Sequence, residues 1–139
     1  MDQERILFPM AGLVTVTFVV LLLIPYKRFK AGRSGRVTAD DFKFGESTNV
    51  PPDVSIPNRN LMNLLEIPVL FYVACLTLYV TKSVDGMVLF LAWAYVALRL
   101  AHSLVHLTYN KVFHRLAVYA ASNVILAIIW IRLFQALAK

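Results

Sequence analysis

At 139 residues the chain has the length of one domain, yet 59% of it is hydrophobic and only 16% is charged. A water-soluble domain this short has too little interior to hide that much apolar surface, which excludes an ordinary soluble fold and points to lipid as the solvent. The net charge of +6 does not indicate nucleic acid, because Lys27, Arg28, Lys30, Arg33, Arg36 and Lys43 crowd one polar segment directly after an apolar run, as in a cytoplasmic loop facing anionic lipid.

A helix that crosses a bilayer needs about 20 mostly apolar residues. Residues 6–26 carry no charge and form the clearest span. The preceding MDQERILFPM lacks a basic n-region and a small-residue cleavage site, so this first helix reads as retained. Residues 27–58 read as a long cytoplasmic loop with little regular structure, charged and dotted with Gly and Pro (AGRSG, NVPPDVSIPN). The second helix is expected over 60–81, kinked at Pro68. It contains Cys75, the single cysteine, which can form no internal disulfide. The tight turn Lys82-Ser83-Val84-Asp85-Gly86 makes the second and third helices antiparallel neighbours, and the third is expected over 87–109. A short turn at 110–114 leads to a fourth helix over 115–136. The fold class is therefore all-α: an integral membrane four-helix bundle, with residues 1–139 forming a single membrane domain and no internal repeat.

Basic residues set the orientation. The long loop and the Lys111 turn outweigh Arg5, Lys82, Arg132 and Lys139 on the other side, so both termini are expected on the non-cytoplasmic face.

Charges within a bilayer are costly and mark function. On the second helix Arg59, Asn63 and Glu66 recur at spacings of four and three, one helix face, with Glu66 roughly 10 Å along the axis from Arg59. On the third, Arg99, His102 and His106 do the same; on the fourth, Arg115, Tyr119 and Ser122, with Asn123 beside them. The up-and-down topology brings the three stripes into one leaflet. Glu66 can instead pair with Arg99 and lock two helices, and Tyr119, Ser122 and Asn123 can be ordinary interhelical hydrogen-bonding groups. His102 and His106 are spaced like two metal ligands, but with no HExxH element or cysteine ligand no metal is expected. Trp93, Tyr95 and Trp130 read as packing or interface residues, and His114 as a loop-end residue. The guanidinium forks of Arg99 and Arg115 suit carboxylates, Glu66 can accept from an ammonium group, and Arg115 or Tyr119 can favour a ligand thiolate. A site for a small anionic thiol is thus allowed.

Asn63-Leu64-Leu65-Glu66-Ile67-Pro68, Arg99-Leu100-Ala101-His102, and Arg115 with Tyr119 resemble the MAPEG family, membrane-associated proteins in eicosanoid and glutathione metabolism. The likeness covers residues 56–135, while the first helix and long loop match only in layout; the compact chain looks like a bacterial-type member. The resemblance implies a homotrimer of four-helix protomers binding glutathione between neighbouring subunits near the cytoplasmic face. It implies a membrane-bound glutathione-dependent transferase or peroxidase acting on lipophilic electrophiles, with glutathione as co-substrate. Arg115 and Tyr119 are then the catalytic candidates, and Arg28 (with Lys27 next), Arg59, Asn63, Glu66, Arg99 and His102 bind the tripeptide. This chain has His106 where glutathione-using members have Tyr, Met62 where they have Arg and Leu116 where they have Ser; His106 can replace the Tyr as a donor. The alternative is a non-catalytic membrane protein that binds lipid or a partner helix, its buried charges serving assembly. A transporter is disfavoured, since there is neither an inverted repeat nor a broken helix pair.

Overall fold

The computed structural model describes residues 2–138 and is all-helical. A 3₁₀ turn, Gln3–Ile6, leads into α1 (Leu7–Arg33); α2 (Pro52–Leu65), α3 (Pro68–Val80), α4 (Gly86–Leu107) and α5 (Val112–Leu137) follow. Among the described residues four helical stretches are long and apolar enough to cross a membrane, Gln3–Arg33, Pro52–Val80, Gly86–Leu107 and Val112–Leu137, so α2 and α3 together make one span. Lys139, counted in the orientation argument, lies outside the described residues.

The spans are apolar on both faces, which is the pattern of a helix bundle in lipid. On α1, Leu13, Val20 and Ile24 are buried while Phe18, Val19 and Leu22 are exposed. The core between the spans holds Leu13, Phe71, Cys75, Leu78, Tyr95, Ile129 and Leu133, with the Phe71 and Tyr95 rings stacked at 4.6 Å. α4 packs along α5; α2 packs on α1 and α4; α3 leans against α5 and α1. The second span thus neighbours α4 through its first half, whereas its second half diverges and meets α4 through side chains such as the Phe71–Tyr95 stack.

The helix limits differ from expectation where charge and proline mislead. α1 runs past Tyr26 to Arg33, because Lys and Arg are good helix formers and are favoured near a helix C-terminus. It stops at Gly35, in the left-handed region at φ 69°. There the N–H groups of Gly35 and Arg36 donate to the carbonyls of Gly32 (3.0 Å) and Ala31 (2.9 Å). The following segment is not wholly irregular: Thr38 and Asp41 cap a 3₁₀ turn, Ala39–Phe42, reciprocally. α2 begins at Pro52 rather than at residue 60, since proline in the first turn has no helical hydrogen bond to lose. α5 likewise begins earlier, at Val112. Pro68 does more than kink its helix. It lacks the N–H that would reach Leu64, and the helix breaks at Glu66 (φ −87°, ψ −100°), with Pro68 starting α3.

Candidate functional site

The longest helix pairing sets the site. α4 turns Arg99, His102, Ser103 and His106 to its buried side, and α5 returns alongside it from the turn at Asn110. α2 closes the third wall through the fully buried Asn60, whose Oδ1 accepts from Ser103 Oγ at 3.3 Å. Between the three helices lies a cavity of about 370 Å³. Ile56, Arg59 and Asn63 line it from α2, His102 and His106 from α4, Asn110 from the turn, and Val112, Arg115, Leu116 and Tyr119 from α5.

Arg115 donates from Nη1 to Asn110 Oδ1 at 2.8 Å. His102 Nδ1 lies 3.2 Å from the Arg115 carbonyl oxygen. A carbonyl can only accept, so Nδ1 carries a proton and donates it, and Nε2 is the nitrogen turned away from this bond. Nε2 of His102 and Nδ1 of His106 are both buried without a hydrogen-bond partner. The two imidazoles meet edge-on at 5.9 Å, and the Tyr119 ring lies 5.7 Å from His102.

Arg99 sits behind this wall, fully buried. Its Nε donates to Tyr95 Oη at 3.0 Å and its Nη2 to Asn123 Oδ1 at 3.4 Å, while Nη1 has no partner. Its Cζ lies 5.3 Å from the centre of the Tyr95 ring and 5.2 Å from that of Tyr119, so two aromatic faces stabilise the cation. Among the described residues no carboxylate makes an ion pair with Arg59, Arg99 or Arg115. Two guanidinium groups on the cavity wall and a third behind Tyr119 therefore form a cationic site in which no carboxylate among the described residues is ion-paired with them. Such a site favours an anionic ligand, and Ile56, Val112 and Leu116 give it an apolar flank.

Six of the residues singled out in the sequence thus come together: Arg59, Asn63, His102, His106, Arg115 and Tyr119. Arg99 joins them through Tyr119. Glu66 does not: it is exposed at the α2–α3 break, off the cavity, and the expected pair with Arg99 is not formed. Glu66, the C-cap of α2, stays exposed, whereas Arg99 is fully buried with Tyr95 and Asn123 as its partners. Arg28 is also elsewhere, donating from Nη2 to Glu46 Oε1 at 2.9 Å with its Cζ 4.4 Å from the centre of the Phe42 ring. Asn63 donates from Nδ2 to its own helix, at the Arg59 carbonyl. Of the departures from the family pattern, His106 and Leu116 line the cavity and Met62 is exposed. Two contributors were missed. Asn60 precedes Asn63 by one helical turn, and Asn110 lies just past the end of α4, where Asn is a signal for left-handed backbone. Among the described residues no group of three or more His, Cys, Asp or Glu side chains is placed to hold a metal ion.

A model of the MAPEG family matches residues 6–135. Comparison with curated proteins gave no match, and comparison with solved structures gave none either.

Proposed function

The chain belongs to the MAPEG family, which includes glutathione transferases and peroxidases, and we propose that it is a membrane-bound glutathione-dependent enzyme acting on lipophilic electrophiles. The observation that carries this reading is the cationic cavity: Arg59 and Arg115 on its wall, Arg99 behind Tyr119, and no carboxylate among the lining residues. Glutathione brings two carboxylates and a thiol that must ionise to react.

Arg115 holds the thiolate, since a neighbouring cation favours the charged form. Tyr119 donates its hydroxyl proton in a hydrogen bond to the same sulfur. Arg59, Asn63, His102 and His106 orient the tripeptide, Arg99 adds its charge from behind Tyr119, and the apolar flank admits the second substrate from the bilayer. In a transfer the sulfur lone pair attacks an electrophilic carbon, a carbon–sulfur bond forms, and the leaving group departs with the bond's electrons. With a hydroperoxide the sulfur attacks the terminal oxygen and the O–O bond breaks. The alkoxide leaves and takes up a proton as the alcohol, and the thiol of a second glutathione then displaces water from the oxidised sulfur to give the disulfide. Holding the reactants together in a dry site supplies much of the rate gain.

Glu66 and Arg28 lie off the cavity of a single protomer. In a homotrimer with the ligand between neighbours, they approach it from the adjacent copy. The basic loop then lies on the cytoplasmic face, with both termini opposite.

The test is a calorimetric titration of glutathione into the detergent-solubilised protein, beside Arg115→Ala and a conjugation assay with a chlorinated aromatic. Binding with turnover is expected, and Arg115→Ala should lose at least about tenfold in kcat/KM, the loss expected when one charge contact to the reacting atom is removed. Absence of both binding and turnover would overturn the reading in favour of a non-catalytic protein that binds lipid or a partner helix.

A further inference from the structure

Only two of the six basic residues in the segment after the apolar part of α1 are ion-paired with its own carboxylates. Arg36 makes a two-pronged pair with Asp53 (2.6 and 3.1 Å) and Arg28 pairs with Glu46. The Asp41 carboxylate is occupied by Thr38 and Ser47. Lys27, Lys30, Arg33 and Lys43 have no ion-pair partner among the described residues.

Three of these four recur every third residue along the last two turns of α1, which places them on one side of the helix. Between them stand aromatic rings turned outward: Tyr26 is 59% exposed and Phe29 73%. Two grooves meet at this corner and share Phe29 and Arg33. One, of about 300 Å³, runs between α1 and the loop, over Val37 and Phe42, with Arg28 on its wall. The other adds Tyr26 and Lys30. On the turns just before, Phe18, Val19 and Leu22 are exposed on the uncharged part of α1. The corner therefore lies where acyl chains give way to headgroups, the level at which aromatic and basic residues anchor a span.

We propose that this corner is a binding site for one anionic phospholipid. Its phosphodiester sits between the Lys30 ammonium and the Arg33 guanidinium, and an acyl chain lies along Phe29 and Tyr26 down α1. Arg can bind phosphate oxygens in bidentate fashion while Lys acts as a point charge, so the pair accepts a phosphodiester from two directions. A choline headgroup brings its own cation against uncompensated positive charges and is disfavoured. An anionic headgroup completes the neutralisation that Asp53 and Glu46 begin. Within one chain the site is separate from the cavity between α2, α4 and α5; it shares only Arg28 with the residues assigned to glutathione, and Lys30 and Arg33 are not among them.

The experiment uses the full chain in phosphatidylcholine nanodiscs, with and without a minor fraction of phosphatidylglycerol, followed by thermal unfolding; native mass spectrometry of the detergent-solubilised protein counts retained lipid. Phosphatidylglycerol should raise the melting temperature and remain bound as one lipid per chain. The double variant Lys30→Gln/Arg33→Gln should lose both the rise and the bound lipid, and Lys30→Arg/Arg33→Lys should restore them. Lys43→Gln also removes an unpaired cation but lies off both grooves, so it should keep the full effect. Equal behaviour in the two lipid mixtures, or a loss in Lys43→Gln that equals the loss in the double variant, overturns the proposal: the first shows no anionic preference, the second only diffuse charge attraction.

Discussion

The Arg115 guanidinium donates to the side-chain oxygen of Asn110 at 2.8 Å, across the turn between α4 and α5, while Asn110 itself holds left-handed backbone at φ 48°. One residue thus does two separable things: it turns the chain, and it fixes the cation assigned to the thiolate. The backbone task suits Gly as well as Asn, and the side-chain task does not. Asn110→Gly should therefore keep a melting temperature close to the parent's. It should lose about tenfold in glutathione-dependent kcat/KM, the scale of a hydrogen bond to a charged group at about 1.5 kcal/mol. Its pH–rate profile should move to higher pH, because a loosely held Arg115 stabilises the thiolate less. Asn110→Ala should lose activity and also about 1 kcal/mol of stability to strain at positive φ. An unchanged pH profile in Asn110→Gly would show that the tether does not position Arg115.

Arg99 poses a different balance. It is fully buried with no carboxylate partner, and its Nε bond to Tyr95 satisfies a phenol that is itself fully buried. Removing one member leaves the other without a partner, whereas replacing both with apolar groups removes the desolvation cost of each. Arg99→Met should cost about 1–2 kcal/mol, the penalty for an unsatisfied buried hydroxyl. Arg99→Met/Tyr95→Phe should recover most of that loss, and both variants should lose glutathione affinity. Arg99→Ala should be the least stable of the set, at about 2–4 kcal/mol, because truncation leaves a cavity. Chemical or thermal unfolding in detergent gives the stabilities and calorimetry gives the affinities. A double variant no more stable than Arg99→Met would sink the argument that these two groups compensate one another.

The four spans were legible because lipid demands long apolar runs, and that demand leaves a plain mark in the sequence. What was not legible was where the backbone stays helical. Lys27 to Arg33 look like loop by polarity and Pro52 to Asn58 by proline content, yet both are helical, since the true stop signals are the left-handed Gly35 and the missing N–H of Pro68. The same distinction governs the site. Spacings within an unbroken helix, such as Arg99-His102-His106 and Arg115-Tyr119, carried over into shared faces. The Asn63–Glu66 spacing did not: Asn63 lines the cavity, whereas Glu66, at the C-cap where α2 gives way to the Pro68 break, is exposed. The Asn60–Ser103 contact was not legible, because a bond that crosses two helices is not distinguished by periodicity within either one.

The end of the bundle opposite the cavity supplies a pH-dependent check on the fold. Asp85 caps α4, with Oδ1 accepting from the Val88 N–H at 2.7 Å and Oδ2 from Arg132 Nη2 at 2.6 Å. The Val88 backbone bond, with a further contribution from Arg132, holds this carboxyl below the usual carboxylate range. A carboxylate whose pKa is lower folded than unfolded contributes stability that is complete above its unfolded value, about 3.9, and that disappears as pH falls through the folded value. The melting temperature should accordingly be insensitive to Asp85 ionisation near neutral pH and fall below about pH 4. Asp85→Ala should cost about 1 kcal/mol at neutral pH, the usual cost of removing an N-cap. Asp85→Asn keeps a capping oxygen and gives up only an exposed ion pair, so it should cost a few tenths of a kcal/mol, about what such pairs contribute. Asp41, held low by its bonds to Thr38 and Ser47, titrates in the same direction, so the readout is the difference between parent and variant. That difference should shrink as pH falls, since the parent loses what Asp85→Ala never had. A stability gap of constant size from pH 7 to pH 3 would show that ionised Asp85 does not hold the start of α4.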